Sequence, residues 1–240
     1  MMRPEYRAAS DATFREVAGA GWMGADLVHA GLPSEVCIRW LTYKPACGDA
    51  YRAVLSRQEV QRLATITHPG QRKSFVLGRT AVRSLLGERL GLAPHQVRLR
   101  RAEDGAAILE GAKWQVSIAH SGPHAVGVVG QRALGIDLER IRPRRKGLEK
   151  RILHVEEWAD FEALPLDHAR RVILIWTLKE ATLKTIRMGF RHAASAVRLE
   201  VDFPAGRATA QLPGRPSLQL WFMERKGYYL SVAYEHPDQT

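Results

Sequence analysis

Apolar and polar positions along this chain fall into two alternations, one of period two and one near 3.6, and these set the expected elements. Val36 to Tyr43 is rich in strand formers and predicts a first strand, followed by a loop from Lys44 to Ala53 with Pro45 and Gly48. Ser56, with Glu59 three residues on, is a capping box that opens a helix running to about Thr65, which His68-Pro69-Gly70 breaks. A longer helix is predicted from Gln71 to Leu90, its apolar stripe made of Phe75, Val82, Leu85, Leu86 and Leu90, and ended by Gly91 and Pro94. Val97 to Arg100 alternates as a strand, and Ala102 to Gly111 reads as a turn-rich hairpin region. Trp114 to His120, Ala125 to Val129 and Leu134 to Leu138 then arrive as a three-strand meander. Downstream come helices over Glu156 to Leu164 and Asp167 to Met188, the second closed by Gly189. Strands follow over Ala196 to Val201, Ser217 to Met223 and Tyr228 to Tyr234.

This mixture of meandering strands and separate helices predicts an α+β fold. Residues 1–34 carry no sustained period and are expected to be a partly ordered extension, with Trp22, Met23, Leu27 and Val28 suggesting one amphipathic turn. The remainder divides into residues 35–131 and 132–240, and these halves echo each other. A shift of 101 positions sets Phe75 on Trp176, Leu77 on Leu178, Val82 on Leu183 and Arg83 on Lys184.

Two stretches of the second half carry the chemistry. In Leu134-Gly-Ile-Asp-Leu-Glu-Arg140, Asp137 and Glu139 alternate with Ile136 and Leu138, so a strand turns both carboxylates to one face. Neighbouring carboxylates repel unless a positive charge sits between them, and a hard divalent cation with oxygen ligands answers that need. In Ile175 to Lys184, Trp176, Glu180 and Lys184 stand four apart and share a helical face. Glu180 lies 43 positions beyond Asp137, so only the fold can unite the three carboxylates. Mg²⁺ held by few carboxylates completes its octahedron with water and phosphate oxygens, and Lys184 would add a second positive charge for the same phosphates.

Charge narrows the partner. The net charge of +11 and pI near 10.1 imply an anionic partner: nucleic acid, membrane surface, phosphorylated small molecule or acidic protein. Basic residues cluster at Arg98, Arg100 and Arg101, across Arg140 to Lys146, and at Lys150 and Arg151. Apolar runs fall short of the roughly 20 residues of a membrane helix. The charged N-terminus (Arg3, Glu5, Arg7, Asp11) is unlike a secretory signal. Cys37 and Cys47 are too few for a zinc site or a disulfide framework, so a cytoplasmic location with free thiols is expected.

Gly135-Ile-Asp-Leu-Glu139 followed by Trp176-Thr-Leu-Lys-Glu-Ala-Thr-Leu-Lys184 resembles the paired signature of the 4′-phosphopantetheinyl transferases, in particular their long, pseudo-dimeric, surfactin synthetase-activating type. The resemblance covers roughly Leu55 to Phe190. It implies two similar α+β halves in a pseudo-two-fold arrangement, with the active site in the cleft between them. It implies Asp137, Glu139 and Glu180 as ligands of Mg²⁺, with Mn²⁺ the alternative metal, Glu180 as the base for the incoming hydroxyl, and Lys184 on the phosphates. His120 matches the family's phosphate-binding histidine, although Ala119 stands where serine is frequent. Glu59-Val-Gln-Arg62 and Arg79-Thr-Ala-Val-Arg83 fit basic patterns that hold the 3′-phosphate of coenzyme A. Arg62, Arg72, Arg79 and Arg83 are therefore the expected coenzyme-binding residues, Arg62 foremost and Arg79 last. Lys179 is expected to serve structure and Trp176 the core. The implied substrates are coenzyme A and an acidic acyl or peptidyl carrier protein of fatty acid, polyketide or nonribosomal peptide synthesis. The implied enzyme is a monomer that releases 3′,5′-ADP and needs neither nucleic acid nor membrane. Two other classes fit a basic surface with clustered carboxylates: a metal-dependent nuclease or phosphodiesterase, and a non-catalytic nucleic-acid-binding module.

Overall fold

In the computed structural model, which describes residues 14–18, 25–29, 31–102, 105–111, 113–145, 147–187 and 193–235, the period-two runs become two five-stranded antiparallel sheets. The first sheet has the order β1-β2-β3-β7-β6, from Phe14–Ala18 (β1), Ala25–His29 (β2), Cys37–Thr42 (β3), Gln115–Ser121 (β6) and His124–Gly130 (β7). The second has the order β8-β12-β11-β10-β9, from Leu134–Arg140 (β8), Arg198–Asp202 (β9), Arg207–Gln211 (β10), Leu218–Arg225 (β11) and Tyr228–Glu235 (β12). Leu99–Arg101 (β4) and Ala107–Leu109 (β5) form a separate ribbon, the expected hairpin. Helices are Gly48–Ala53 (α1), Arg57–Thr65 (α2), Pro69–Leu90 (α3), Glu149–Ile152 (α4), Trp158–Ala163 (α5) and His168–Thr185 (α6).

Alternation along the strands sorts side chains into layers. Ile38, Trp40, Val126 and Val128 of one sheet meet Ile136, Leu138, Leu230 and Val232 of the other in a central apolar layer. The outer face of the first sheet packs on α3, through Leu77, Ala81, Val82 and Leu86 against Leu41, Ala125 and Val129. The outer face of the second packs on α6, through Leu174 and Leu178 against Leu220, Phe222 and Tyr229. The order is helix, sheet, sheet, helix, with β9 and β10, at one edge of the second sheet, left exposed on one face.

The two halves repeat one another in topology. The order β3-β7-β6 with α3 matches β8-β12-β11 with α6, and the hairpin β4-β5 stands where β9-β10 stands. The same buried network recurs. Arg83 of α3 donates to Glu59 at 2.6 Å and to Val97 O at 2.9 Å, and Lys179 of α6 donates to Glu157 at 2.5 Å and to Val197 O at 2.7 Å. These contacts align the helices differently from the 101-position echo: Arg83 corresponds to Lys179, and the residue matching Lys184 is Glu88.

Other expectations change too. Within the expected extension over 1–34, residues 14–18 and 25–29 are strands that widen the first sheet, while Trp22 and Met23 lie outside the described residues. In place of the expected turn, Leu27 is buried in the core and Asp26 pairs with Arg39 of β3, which holds β2 extended. The expected loop over 44–53 is a 3₁₀ turn at Pro45–Cys47 leading into α1. The strand β10, with no apolar run, went unforeseen. The capping box at Ser56 is present, with Ser56 Oγ on Glu59 N and Glu59 on Ser56 N. No helix among the described residues is long and apolar enough to cross a membrane.

Candidate active site

The site begins with the seating of α6 on β8. A Cβ built on Gly135 would lie 2.2 Å from Ala181 O and 2.6 Å from Thr185 N, so only glycine lets helix and strand approach this closely. The helix is fixed at three further points. Asp167 caps its start by accepting from Arg170 N at 2.9 Å, and Lys179 is buried on Glu157, Ile152 O and Val197 O. Thr177 receives the Ser231 hydroxyl of β12 at 3.0 Å. With Lys179 anchored inward, the other face of the helix is left to Glu180 and Lys184. Trp176 is half-buried and packs against the second-half core.

The period-two reading of β8 holds: Ile136 and Leu138 lie in the central layer, and Asp137 and Glu139 face away from it toward α6. Lys184 Nζ donates to Asp137 Oδ1 at 2.7 Å and to Ile136 O at 3.0 Å, which joins the two motifs across 47 positions. Asp137 Oδ2 is buried without a hydrogen-bond partner. Glu139 accepts from Arg144 Nη2 at 2.6 Å, from the basic loop after β8. Burial, then repulsion from Asp137 and from Glu139, raises the Glu180 carboxyl above its ordinary range despite Lys184. Burial outweighs Arg144 and raises Glu139, with Asp137 adding to the rise. The three carboxylates thus lie close enough to repel one another.

These residues fit a divalent cation in kind: hard oxygen donors that repel each other, one of them buried with an orphaned lone pair. Their present partners are Lys184 and Arg144, and no three His, Cys, Asp or Glu side chains among the described residues stand in ligating geometry. Occupancy would therefore require the carboxylates to turn from these two internal cations.

A cleft of about 620 Å³ opens between α3 and β6 of the first half and the end of α6. Arg79, Arg101, His120, Lys184 and Arg187 line it, beside Ser74, Phe75, Gly78 and Ser117, and among the described residues no carboxylate lines it. Lys184 is the link between this cleft and the carboxylates. His120 stands at its mouth, and partial burial and then Lys184 hold its pKa below the ordinary histidine value, so the free site carries it neutral near pH 7. Arg79 is buried against Glu59 at 3.4 Å with Nη1 unpartnered; burial lowers its pKa, and Arg83 and Arg101 add to the lowering.

The four arginines expected on coenzyme A are not brought together. Arg83 is fully buried on Glu59, Pro94 O and Val97 O. Arg72 caps the end of α2 through Leu63 O and Ile66 O. Arg62 is exposed and bonded to Thr65. Of these, Arg79 alone lines the cleft. Sequence reasoning did not single out Arg187, and it read Arg101 only as part of a basic cluster. Helical spacing could not have found Arg187, because α6 ends at Thr185 and Arg187 leaves it with a left-handed φ.

Comparison with known proteins returns the same family. The sequence model of the 4′-phosphopantetheinyl transferase superfamily matches residues 133–233. The chain is 35% identical over 141 residues to the 4′-phosphopantetheinyl transferase HetI of Nostoc sp., a match that takes in 55% of this chain and 59% of that protein's length. It is 27% identical over 168 residues to the 4′-phosphopantetheinyl transferase psf-1 of Bacillus pumilus, covering 68% of this chain and 71% of that one. With the 4′-phosphopantetheinyl transferase Sfp of Bacillus subtilis it shares 24% identity over 196 residues, covering 79% and 86%.

Proposed function

We propose, on the premise that residues 133–233 belong to the 4′-phosphopantetheinyl transferase superfamily, that this protein moves the phosphopantetheine arm of coenzyme A onto a serine of an acyl or peptidyl carrier protein. The observation that carries the reading is the seating of α6 on β8 at Gly135, which joins Lys184 to Asp137 and sets Glu180 beside both β8 carboxylates. The serine oxygen bonds to the β-phosphorus, the bond from that phosphorus to its bridging oxygen breaks, and 3′,5′-ADP leaves with the electron pair. Glu180, raised by burial and its neighbours, accepts the serine proton. Lys184 and His120 line the cleft where the diphosphate lies, and an imidazole that is neutral at rest can gain a proton as the anion enters. Arg79, with a buried unpartnered nitrogen, and Arg101 offer charge for the 3′-phosphate. Asp137, Glu139 and Glu180 would hold Mg²⁺ or Mn²⁺, which supplies charge neutralisation on the diphosphate when bound. The remaining barrier is lowered by positioning and electrostatics, as in other phosphoryl transfers.

Carrier docking falls to the basic loop that follows β8. Arg142, Arg144 and Arg145 offer a positive surface beside Glu139, suited to steering an acidic partner onto a monomeric cytoplasmic enzyme. Incubation with coenzyme A, Mg²⁺ and a panel of apo carrier proteins, read by intact mass, should add one phosphopantetheine to at least one carrier. Failure across the panel, with Mg²⁺-dependent cleavage of nucleic acid instead, would favour the nuclease reading.

A further inference from the structure

The chain leaves α6 through Arg187, whose φ of 52° lies in the left-handed region. For a side chain of this size that conformation brings Cβ against a carbonyl oxygen, and it persists only where surrounding contacts hold it. One such contact is visible: Arg187 Nη2 donates to Gln115 Oε1 at 2.6 Å, from β6 of the other half. The guanidinium so held lines the cleft with Lys184, Arg101, His120 and the buried Arg79. Glu180 and Lys184 share a helical face, and Arg187, two residues past the end of α6, reaches the cleft from its left-handed turn. Backbone strain and an inter-half hydrogen bond thus add one more cation to a cleft whose charged lining, among the described residues, is cationic. That arrangement suits an anion bridging the end of α6 and the first half.

We propose that Arg187 binds the substrate directly, holding a phosphate oxygen of the coenzyme A diphosphate beside Lys184 and keeping its hold on the 3′,5′-ADP product, with Gln115 as its positioning residue. This rests on the transferase reading above. A second charged donor on the same anion strengthens the hold on nucleotide and leaves the proton transfer at Glu180 untouched.

The test is the dissociation constant of 3′,5′-ADP by titration calorimetry, with melting temperatures, for the wild type, Arg187→Ala, Arg187→Gly and Gln115→Ala. Both Arg187 variants should bind at least about tenfold more weakly, the effect of losing a hydrogen bond to a charged group. Gln115→Ala, which keeps the guanidinium, should lose less than about threefold. Arg187→Gly should melt above Arg187→Ala, because glycine adopts this φ without strain. Unchanged binding by Arg187→Ala would overturn the proposal. So would an equal loss in Gln115→Ala, which would make the pair a latch between halves rather than a ligand contact. A glycine variant melting no higher than the alanine variant would refute the strain argument. A wild type that binds neither 3′,5′-ADP nor coenzyme A would reject the transferase reading itself, so the two failures are distinguishable.

Discussion

Replacing Gly135 by alanine tests whether the approach of α6 to β8 sets the chemistry. The new Cβ would stand 2.2 Å from Ala181 O, 2.6 Å from Thr185 N and 2.8 Å from Thr185 Oγ1. Carbon and oxygen settle no closer than about 3.3 Å, so helix and strand must part by about 1 Å. No side-chain rotation relieves this. Two of the three atoms are backbone, and Thr185 Oγ1 already donates to Ala181 O at 2.9 Å and Ala233 O at 3.2 Å. Overpacking of this kind costs about 1–3 kcal/mol. A shift of about 1 Å between reacting groups costs about a hundredfold in rate. Gly135→Ala should therefore lose about 2 kcal/mol in urea unfolding and about a hundredfold in kcat for carrier modification. KM for the carrier should hold, because the loop after β8 lies at the opposite end of that strand from Gly135. Gly48→Ala is the control, since a Cβ there meets nothing within 4 Å. A Gly135→Ala protein within about 0.5 kcal/mol and about threefold of the wild type would refute the reasoning.

Four further outcomes are expected. Asp137→Asn should cut kcat by at least about a hundredfold, yet alter stability by under about 1 kcal/mol, because its partner Lys184 is one-third exposed; equal losses in both would contradict a catalytic role. The raised carboxyls of Glu180 and Glu139 keep their protons in the folded chain after the unfolded chain has released them. Their contribution to stability without added metal should therefore be full below about pH 4.5 and be lost as pH rises through the raised values, and Glu180→Gln should show a shallower fall in urea midpoint over that range; parallel curves would exclude the effect. Arg144→Ala should tighten Mn²⁺ binding several-fold in a paramagnetic-resonance titration by freeing Glu139, and should raise KM for the carrier at low salt. Lys179→Met should cost about 3–5 kcal/mol by stranding buried Glu157, and the added change Glu157→Gln should cost less than the sum of the two, read by urea unfolding.

The sequence made the second half legible because its signals are local and strong. A strand with alternating carboxylates needs only its period to assign faces, and Gly135 to Glu139 keeps that period in the fold. The helix α6 follows from a stripe and a cap. What stayed hidden depends on distance in sequence. The strands β1 and β2 owe their place to Asp26 meeting Arg39 and to Leu27 entering the core, neither of which a short window can show. The strand β10 is inward-facing Ala208 and Ala210, weak strand formers held by neighbours on both sides. Among the arginines, basic patterns could not tell a guanidinium that caps a carbonyl, as Arg72 does, from one that lines a cleft with a nitrogen left unpartnered, as Arg79 does. That difference is made by tertiary contacts.

The repeat also explains why the carboxylate chemistry sits in one half. Arg39 on β3 holds the place of Asp137 on β8, each following a buried isoleucine in its strand, Ile38 and Ile136. Five residues beyond the buried cations Arg83 and Lys179 lie Glu88 and Lys184, and each reaches the strand residue opposite it: Glu88 to Arg39 at 2.9 Å, Lys184 to Asp137 at 2.7 Å. It is one helix-to-strand ion pair with the signs exchanged. In the first half the guanidinium is saturated, with bidentate contacts to both Asp26 and Glu88. The positions of Glu139 and Glu180 are taken by Leu41, packed in the core, and Ser84, whose hydroxyl is given to Thr80 O. In the second half the same geometry leaves a carboxylate oxygen unpaired and two further carboxylates close enough to repel it. Around Arg39 all four carboxylate oxygens of Asp26 and Glu88 accept from the guanidinium, whereas around Lys184 one oxygen of Asp137 has no partner and Glu180 and Glu139 are raised by burial and by their neighbours. The fold is duplicated; the group of three mutually repelling carboxylates belongs to β8 and α6.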